Sequence, residues 1–370
     1  MMRRRRQQPA AALLSYHYVY YCRSKAAYHF QTPTRLPIPK YTLCKCSKMM
    51  KRVLFLVSLV LLNTITVTSF MSSGHIAHRP TQPASQKQLI RLQASKSNLG
   101  ASVDSLLSAN RATIDALGND FPDVSEMTRL RFALAFDSQA EAKQALRDSV
   151  AFRKGAGRPL VEAAAKAVEQ ATANGGWDNE PVRAAAPNSA SINEFITPKN
   201  IVTLSTDKGD LIYVIRASAI SDKKLMDKVT VEQMGEFFLY VKEVHSIVAD
   251  ARSLKSGRMC EVIFANDISG VRAPPDPRFS KALTESSKQY EKLYPALAGP
   301  TMILNLPMVL QAFIGLFKPL FPKTVQDRLK FKRAPVLAGL NELTPLSRSS
   351  DPSQKAFLAE VQTLLYGPLS

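Results

Sequence analysis

Thr301-Met-Ile-Leu-Asn-Leu-Pro-Met-Val-Leu-Gln-Ala-Phe-Ile-Gly-Leu-Phe-Lys-Pro-Leu-Phe321 is the stretch on which the fold turns. Thr301–Leu306 reads as an apolar strand, and Pro307 ends it because proline has no N–H to give to a ladder. Ten of the next fourteen residues, Met308–Phe321, are apolar, and they fall on all faces of a helix. Such a helix is either buried on every side or turned toward an apolar ligand. This stretch alone leaves both readings open.

Upstream, apolar runs of strand length alternate with helical patterns. Ile201–Leu204 and Leu211–Ile215 read as two strands joined by the turn Asp207-Lys-Gly-Asp210. Residues 230–250 form a helix, Cys260–Ala265 a strand and residues 279–293 a helix. Strand, crossover helix and strand predict parallel pairing in a helix-covered sheet, an α/β fold. Residues 354–366 carry Phe357, Val361, Leu364 and Leu365 at helical spacing and close the chain as an amphipathic helix.

The segment before this is helical. Leu130, Phe132, Leu134 and Phe136 precede Asp137-Ser138, a predicted N-cap with Glu141 just inside the turn that follows. An Ala-rich helix occupies 160–173. Residues 174–190 hold Gly175, Gly176, Pro181 and Pro187 and read as a linker. The domains are therefore a helical unit over 104–173, a linker over 174–190 and the sheet domain over 191–370.

Charge is unevenly spread. The net charge is +19, yet residues 1–103 hold 16 of the 49 Lys and Arg residues and no acid. Asp104 is the first carboxylate, and residues 104–370 carry 33 basic against 30 acidic residues. The folded body thus makes no strong electrostatic claim on nucleic acid. Cys260 and His245 are the only Cys and His beyond residue 103. They allow neither an internal disulfide nor a Cys/His zinc site. No metal and no cofactor are expected.

The leader reads as an address. Met50-Lys-Arg52 precedes the short apolar run Val53–Leu62, and Val67-Thr-Ser69 places small residues at cleavage spacing. Residues 50–69 are expected to be a signal peptide, with residues 1–49 an upstream extension. Phe70 and the acid-free residues 71–103 follow, the composition of a transit peptide. A signal peptide, a phenylalanine and a transit peptide in that order resemble the two-part presequence of algae with secondary plastids. The expected location is the plastid (chloroplast), reached by the secretory route; the alternative is a secreted or endomembrane protein.

Several stretches of the body, taken in order, resemble the CRAL-TRIO lipid-binding family. Leu130-Arg-Phe132, Phe136-Asp137 and Phe152-Arg-Lys154 are similar to its small helical domain. Asp267-Ile-Ser-Gly270 is similar to its strand-end motif. Tyr294-Pro295, Asn305-Leu-Pro307 and Phe317-Lys-Pro-Leu-Phe321 are similar to its most recognisable stretch. The resemblance runs from about residue 125 to about 335. It implies a small helical domain followed by a mixed, mostly parallel sheet covered by helices and enclosing an apolar ligand cavity. This chain has Ala296 where phosphoinositide-binding members carry Glu after Tyr-Pro, and it lacks the family's closing Gly-Gly.

The resemblance implies a role and a site. The ligand is a lipid or other small hydrophobic molecule, carried one at a time between membranes by a protein that docks at membrane surfaces and works as a monomer. Carriage shields apolar chains whose exposure costs about 0.8 kcal/mol per CH₂. The gate falls on Met308–Phe321, with Met308, Val309, Phe313, Leu316, Phe317, Leu320 and Phe321 facing ligand or bilayer. Lys318, Lys323 and Arg328 lie beside it, where anionic headgroups would be met. Val214, Val262, Phe264 and Ile303 are the expected cavity liners on the sheet.

An enzyme is not expected. The chain has no Gly-x-Ser-x-Gly elbow, phosphate-binding Gly-rich loop or nucleotide fingerprint. The competing role is a lipid-sensing adaptor without transfer activity. The leader yields a direct test. Residues 50–103 fused to a fluorescent reporter are expected to reach the plastid, and Phe70→Ala is expected to divert the reporter to secretion. Unchanged import of the variant, followed by microscopy, would remove the two-part reading.

Overall fold

Ser102, Ser125 and Ser138 each start a helix in the same way, the hydroxyl accepting the backbone N–H of Ser105, Thr128 and Glu141 respectively. The computed structural model describes residues 97–272, 274–307 and 328–366. These caps open α1 (Val103–Ala109), α3 (Glu126–Ala135) and α4 (Gln139–Lys154), with α2 (Arg111–Asp120) between the first two. A fifth helix, α5 (Arg158–Thr172), carries proline in its first turn, where the missing N–H costs nothing. Residues ahead of Asp104 are tied to the body. The Ser97 hydroxyl and the Asn98 N–H both donate to the buried Glu261 carboxylate, the Gly100 N–H donates to the Met259 carbonyl and the Met259 N–H to the Ala101 carbonyl.

The expected linker is partly structured. It contains α6 (Asn179–Ala184), capped by Asp178, and leads to the single turn α7 (Ser189–Ile192). Asn179 gives the reason. Its Nδ2 donates to the Thr203 carbonyl at 3.0 Å and its Oδ1 accepts the Thr203 N–H at 2.9 Å. Thr203 lies on the sheet's first strand, so this side chain satisfies backbone groups that would otherwise stand open on an edge.

The sheet has five strands in sequential order: β1 (Ile201–Ser205), β2 (Leu211–Arg216), β3 (Val262–Asp267), β4 (Ala298–Leu304) and β5 (Leu329–Lys332). β1 runs antiparallel to β2 through the predicted turn, and every other pairing is parallel. Between β2 and β3 lie α8 (Asp222–Met226) and α9 (Val231–Ser256). Between β3 and β4 lies α10 (Pro277–Leu293). Past β5 come α11 (Pro335–Ala338) and α12 (Pro352–Tyr366). Cys260, expected to open its strand, precedes it. β5 and the short helices α8 and α11 are too brief to leave a periodic signal.

Alternation along the strands separates two apolar layers. Leu211, Tyr213, Val262 and Phe264 share one core with α5, α9 and α10. Ile212, Val214, Ile263, Ala265, Met302 and Leu304 face the other way, toward Leu337, Leu343, Leu346, Phe357 and Val361. All six residues of β3 are buried, as expected for a parallel strand covered on both faces. α9, which is 26 residues long, starts with a reciprocal Thr230–Gln233 capping box. It ends at Gly257, whose φ of 65° suits a residue without a Cβ.

The carboxyl ends of the strands meet in one polar network. Arg216 and Asp267 are register partners on β2 and β3, both buried, and Arg216 Nε donates to Asp267 Oδ2 at 2.8 Å. The rest of the guanidinium donates to the Leu340 and Leu337 carbonyls, both at 2.6 Å. Asp267 Oδ1 accepts from the Ser269 N–H at 3.0 Å and from Asn305 Nδ2 at 3.2 Å. Asn305 Oδ1 in turn accepts the Ala334 N–H at 2.9 Å.

Two ion pairs fasten the helical layer. Arg153 clasps the fully buried Glu243 of α9 with two bonds of 2.6 Å. Arg131, itself buried, pairs with Asp250 and donates to the carbonyls of Ala296 at 2.6 Å and Cys260 at 2.9 Å.

Asp267→Ala should therefore lose about 3–5 kcal/mol, because it strands a buried guanidinium instead of merely deleting a contact. Urea unfolding measures this, and a loss under about 1 kcal/mol would show that the network is dispensable.

Candidate ligand site

The α9 side of the sheet opens into a pocket. Ile201, Tyr213, Ile215 and Phe264 form its floor, contributed by β1, β2 and β3. α9 supplies Phe238, Val241 and Lys242 from one face, at the three- and four-residue spacing that puts helix side chains together. α10 supplies Phe279, Leu283, Ser286 and Tyr290 on the same rule. Phe238 and Phe279 meet edge to face across the mouth, with centroids 5.8 Å apart. The enclosed volume is about 100 Å³. Ligand clefts usually measure roughly 300–1,000 Å³, so a bulky guest requires these walls to part.

A larger cavity, about 440 Å³, lies between the helical layer and α9. Its walls carry Asp120, Asp123, Arg131, Arg153, Lys154 and Asp250. Charges of both signs, already tied in ion pairs, suit water better than an apolar guest. The smaller pocket has the chemistry of a hydrophobic-ligand site.

Lys242 is the exception in its apolar surroundings. Its Nζ stands 4.1 Å from the Phe264 ring centroid, 4.7 Å from that of Tyr290 and 5.9 Å from that of Tyr213. Three ring faces attract the ammonium, but none replaces its lost water fully. Burial lowers its pKa from the usual lysine value to about 7.

His245, one turn further along α9, is fully buried rather than at the helix surface or core edge. Its Nε2 lies 3.3 Å from Thr203 Oγ1, and its ring packs edge-on against Tyr213 at 5.0 Å. Burial first, and then the Lys242 charge, hold its pKa well below the ordinary imidazole value. It is a neutral packing residue.

The expected site residues fall in different places. Phe264 is on the pocket floor. Val262 is buried on the same face, two residues back along β3 in the packed core. Ile303 is buried and pairs in register with Asn266, which alternation places on that face too. Val214 is a correction: it points into the opposite layer, because the period of two sends it away from Tyr213 and Ile215. Arg328 is another. Its guanidinium donates to the Ala298 and Gly299 carbonyls at the start of β4, so it is not a free surface charge. Met308, Val309, Phe313, Leu316, Phe317, Lys318, Leu320, Phe321 and Lys323 lie outside the described residues.

The sequence reading missed Tyr213, Phe238, Lys242, Phe279, Leu283 and Tyr290. The spacing of 279, 283, 286 and 290 was a legible stripe. So was one charge, Lys242, following the run Phe237-Phe-Leu-Tyr-Val241.

This geometry defines a class, a helix-covered sheet with an apolar pocket on one face that binds a hydrophobic ligand. Residues 197–346 match the family model of the CRAL/TRIO domain. No curated protein matches the sequence.

The lysine makes a pH prediction. Its folded pKa lies below its unfolded one, so between pH 7 and 10 the unfolded chain binds more protons and stability rises with pH. Lys242→Met removes the desolvated charge and should be more stable than the parent at pH 7. That advantage should shrink by pH 9.5. Urea unfolding of both proteins at the two pH values would show it, and a constant difference would contradict it.

Proposed function

We propose that the protein binds a single lipid or other hydrophobic molecule in the pocket between Phe264, α9 and α10 and transfers it between membranes without changing it chemically. The observation that carries this reading is an apolar pocket inside the segment that matches the CRAL/TRIO domain. A carrier must hold its cargo away from water and release it at a bilayer. The small enclosed volume fits a pocket that expands around the ligand and closes again without it. The gate of the proposal is the apolar run Met308–Phe321. The plastid is the proposed place of action, on the strength of Phe70 and the acid-free stretch after it.

Ala296 bears on the choice of lipid. It replaces the Glu of phosphoinositide binders, and its carbonyl is occupied by Arg131. The proposed ligand is therefore not phosphatidylinositol.

The test is movement of fluorescent lipid between donor and acceptor vesicles by the full-length chain. Transfer is expected, and Leu283→Trp, which fills the pocket from the α10 wall, should cut it at least about tenfold while the protein still unfolds cooperatively. Binding without transfer would favour the adaptor. Absence of both, or selective extraction of phosphatidylinositol, would overturn the respective part of the proposal.

A further inference from the structure

The pocket holds hydrogen-bond donors without acceptors to match. Lys242 Nζ sits inside a three-ring cage and forms no ion pair among the described residues. Asp222, the one carboxylate in the pocket wall among the described residues, is turned to backbone instead, accepting from Lys223 N–H at 2.8 Å and Asp276 N–H at 2.7 Å. Glu243, next to Lys242 on α9, points away to Arg153. Asn266, beside the pocket's lining on the same face of the sheet, is a second donor. It is 4% exposed, its Nδ2 has no partner among the described residues, and it pairs in register with the pocket residue Ile215. The buried Tyr290 hydroxyl, whose ring forms part of the Lys242 cage, is likewise without a partner among the described residues.

Unmet buried donors such as the Asn266 amide and the Tyr290 hydroxyl are costly, and together with the half-buried Lys242 cation they call for an acceptor that arrives with the guest. The remaining walls, including Ile201, Ile215, Phe279 and Leu283, exclude a guest that is polar throughout. A single cation matches a single negative charge. A dianion would be left half-compensated, with the Asp222 carboxylate in the same wall.

We propose that the ligand is an apolar chain ending in one carboxylate, of the fatty-acid type, bound with that carboxylate inward on Lys242 and with Asn266 as the second donor. This rests on the pocket being the ligand site, and it adds the chemistry of the head and the direction of entry. No covalent bond forms. The carboxylate supplies the counter-charge that the aromatic cage lacks, and the apolar chain runs out along the walls.

Titration gives an independent signature. The groups around Lys242 are Asp222 from α8, Tyr213 from β2, Tyr290 from α10 and His245 and Glu243 on its own helix. His245 is neutral, and burial raises both tyrosines, so none of these three changes charge between pH 6 and 9. Asp222 and Glu243 are held in the contacts described above. Lys242, with its pKa lowered to about 7 in the empty pocket, must take up a proton to meet a carboxylate at higher pH.

The experiment uses the full-length chain and cis-parinaric acid, a fluorescent C18 polyene acid, against its methyl ester. The acid should bind at least about tenfold more tightly than the ester, the scale of a charge-assisted hydrogen bond. That preference should be largest at pH 6 and fade by pH 9, and Lys242→Met should abolish it. Asn266→Leu should reduce it by less. The comparison of acid with ester in the parent protein needs no variant, so a misfolded Lys242→Met does not spoil it. Equal affinity for acid and ester would overturn the inference and leave the apolar pocket standing. If neither binds, the ligand-site reading falls with it. Tetradecyl phosphate binding tenfold more tightly than the acid would replace the carboxylate with a phosphate head.

Discussion

Arg216 and Asp267 stand side by side at the carboxyl ends of two parallel strands, and both are buried. An ion pair out of water repays its desolvation only when every remaining lone pair and proton is also used. Here all three guanidinium nitrogens and both carboxylate oxygens have partners, and these come from distant parts of the chain. Asn305 joins the end of β4 to Asp267, and through Ala334 it holds the segment after β5. Leu337 and Leu340 close the guanidinium from the opposite layer. The two sequence motifs Asp267-Ile-Ser-Gly270 and Asn305-Leu-Pro307 thus serve one junction at the carboxyl edge of the sheet. Gly270 completes the first motif with φ 73°, where an added Cβ would press on Ser218.

A second set of constraints holds the wall of the pocket. α9 contributes Glu243 and Asp250 to the helical layer from one side and Lys242 to the pocket from the other. The helix cannot turn about its axis without breaking the Arg153 clasp. The direction of Lys242 is therefore set by an ion pair outside the pocket. Arg131 does the same for the far end, joining α3 to the loop before β4 and to Cys260, two residues before β3. The helical layer is thus part of the frame that aims the site.

Much of the fold could be read in the chain because parallel strands buried on both faces leave near-continuous apolar runs, as in Val262–Ala265 and Thr301–Leu304. Long helices such as 279–293 carry a clean stripe, and Ser138 announced its cap. The helix at Asn179 was hidden, because its stability lies in a side-chain bridge to Thr203 that no local pattern encodes. The site was harder. Strand alternation could have separated Val214 from Phe264, but only with the register of β2 against β3 known. Arg328 read as a surface charge because the sequence does not reveal a carbonyl waiting at Ala298. Lys242 went unnoticed because a lysine on a long helix is usually solvated, and its cage is assembled from three separate elements.

The Arg216 junction also dictates an order of assembly. A guanidinium made at residue 216 has its first charged partner at 267 and its carbonyl partners only at 337 and 340. Ser97 and Asn98 likewise wait for Glu261, more than 160 residues later. Contacts of such sequence separation delay closure of the chain, since loop entropy is lost before the bonds repay it. A chain stopped short of residue 337 can pair Arg216 with Asp267 but lacks both carbonyl acceptors of the guanidinium. The segment after β5 thus completes, from more than 100 residues away in the chain, a network that begins at residue 216.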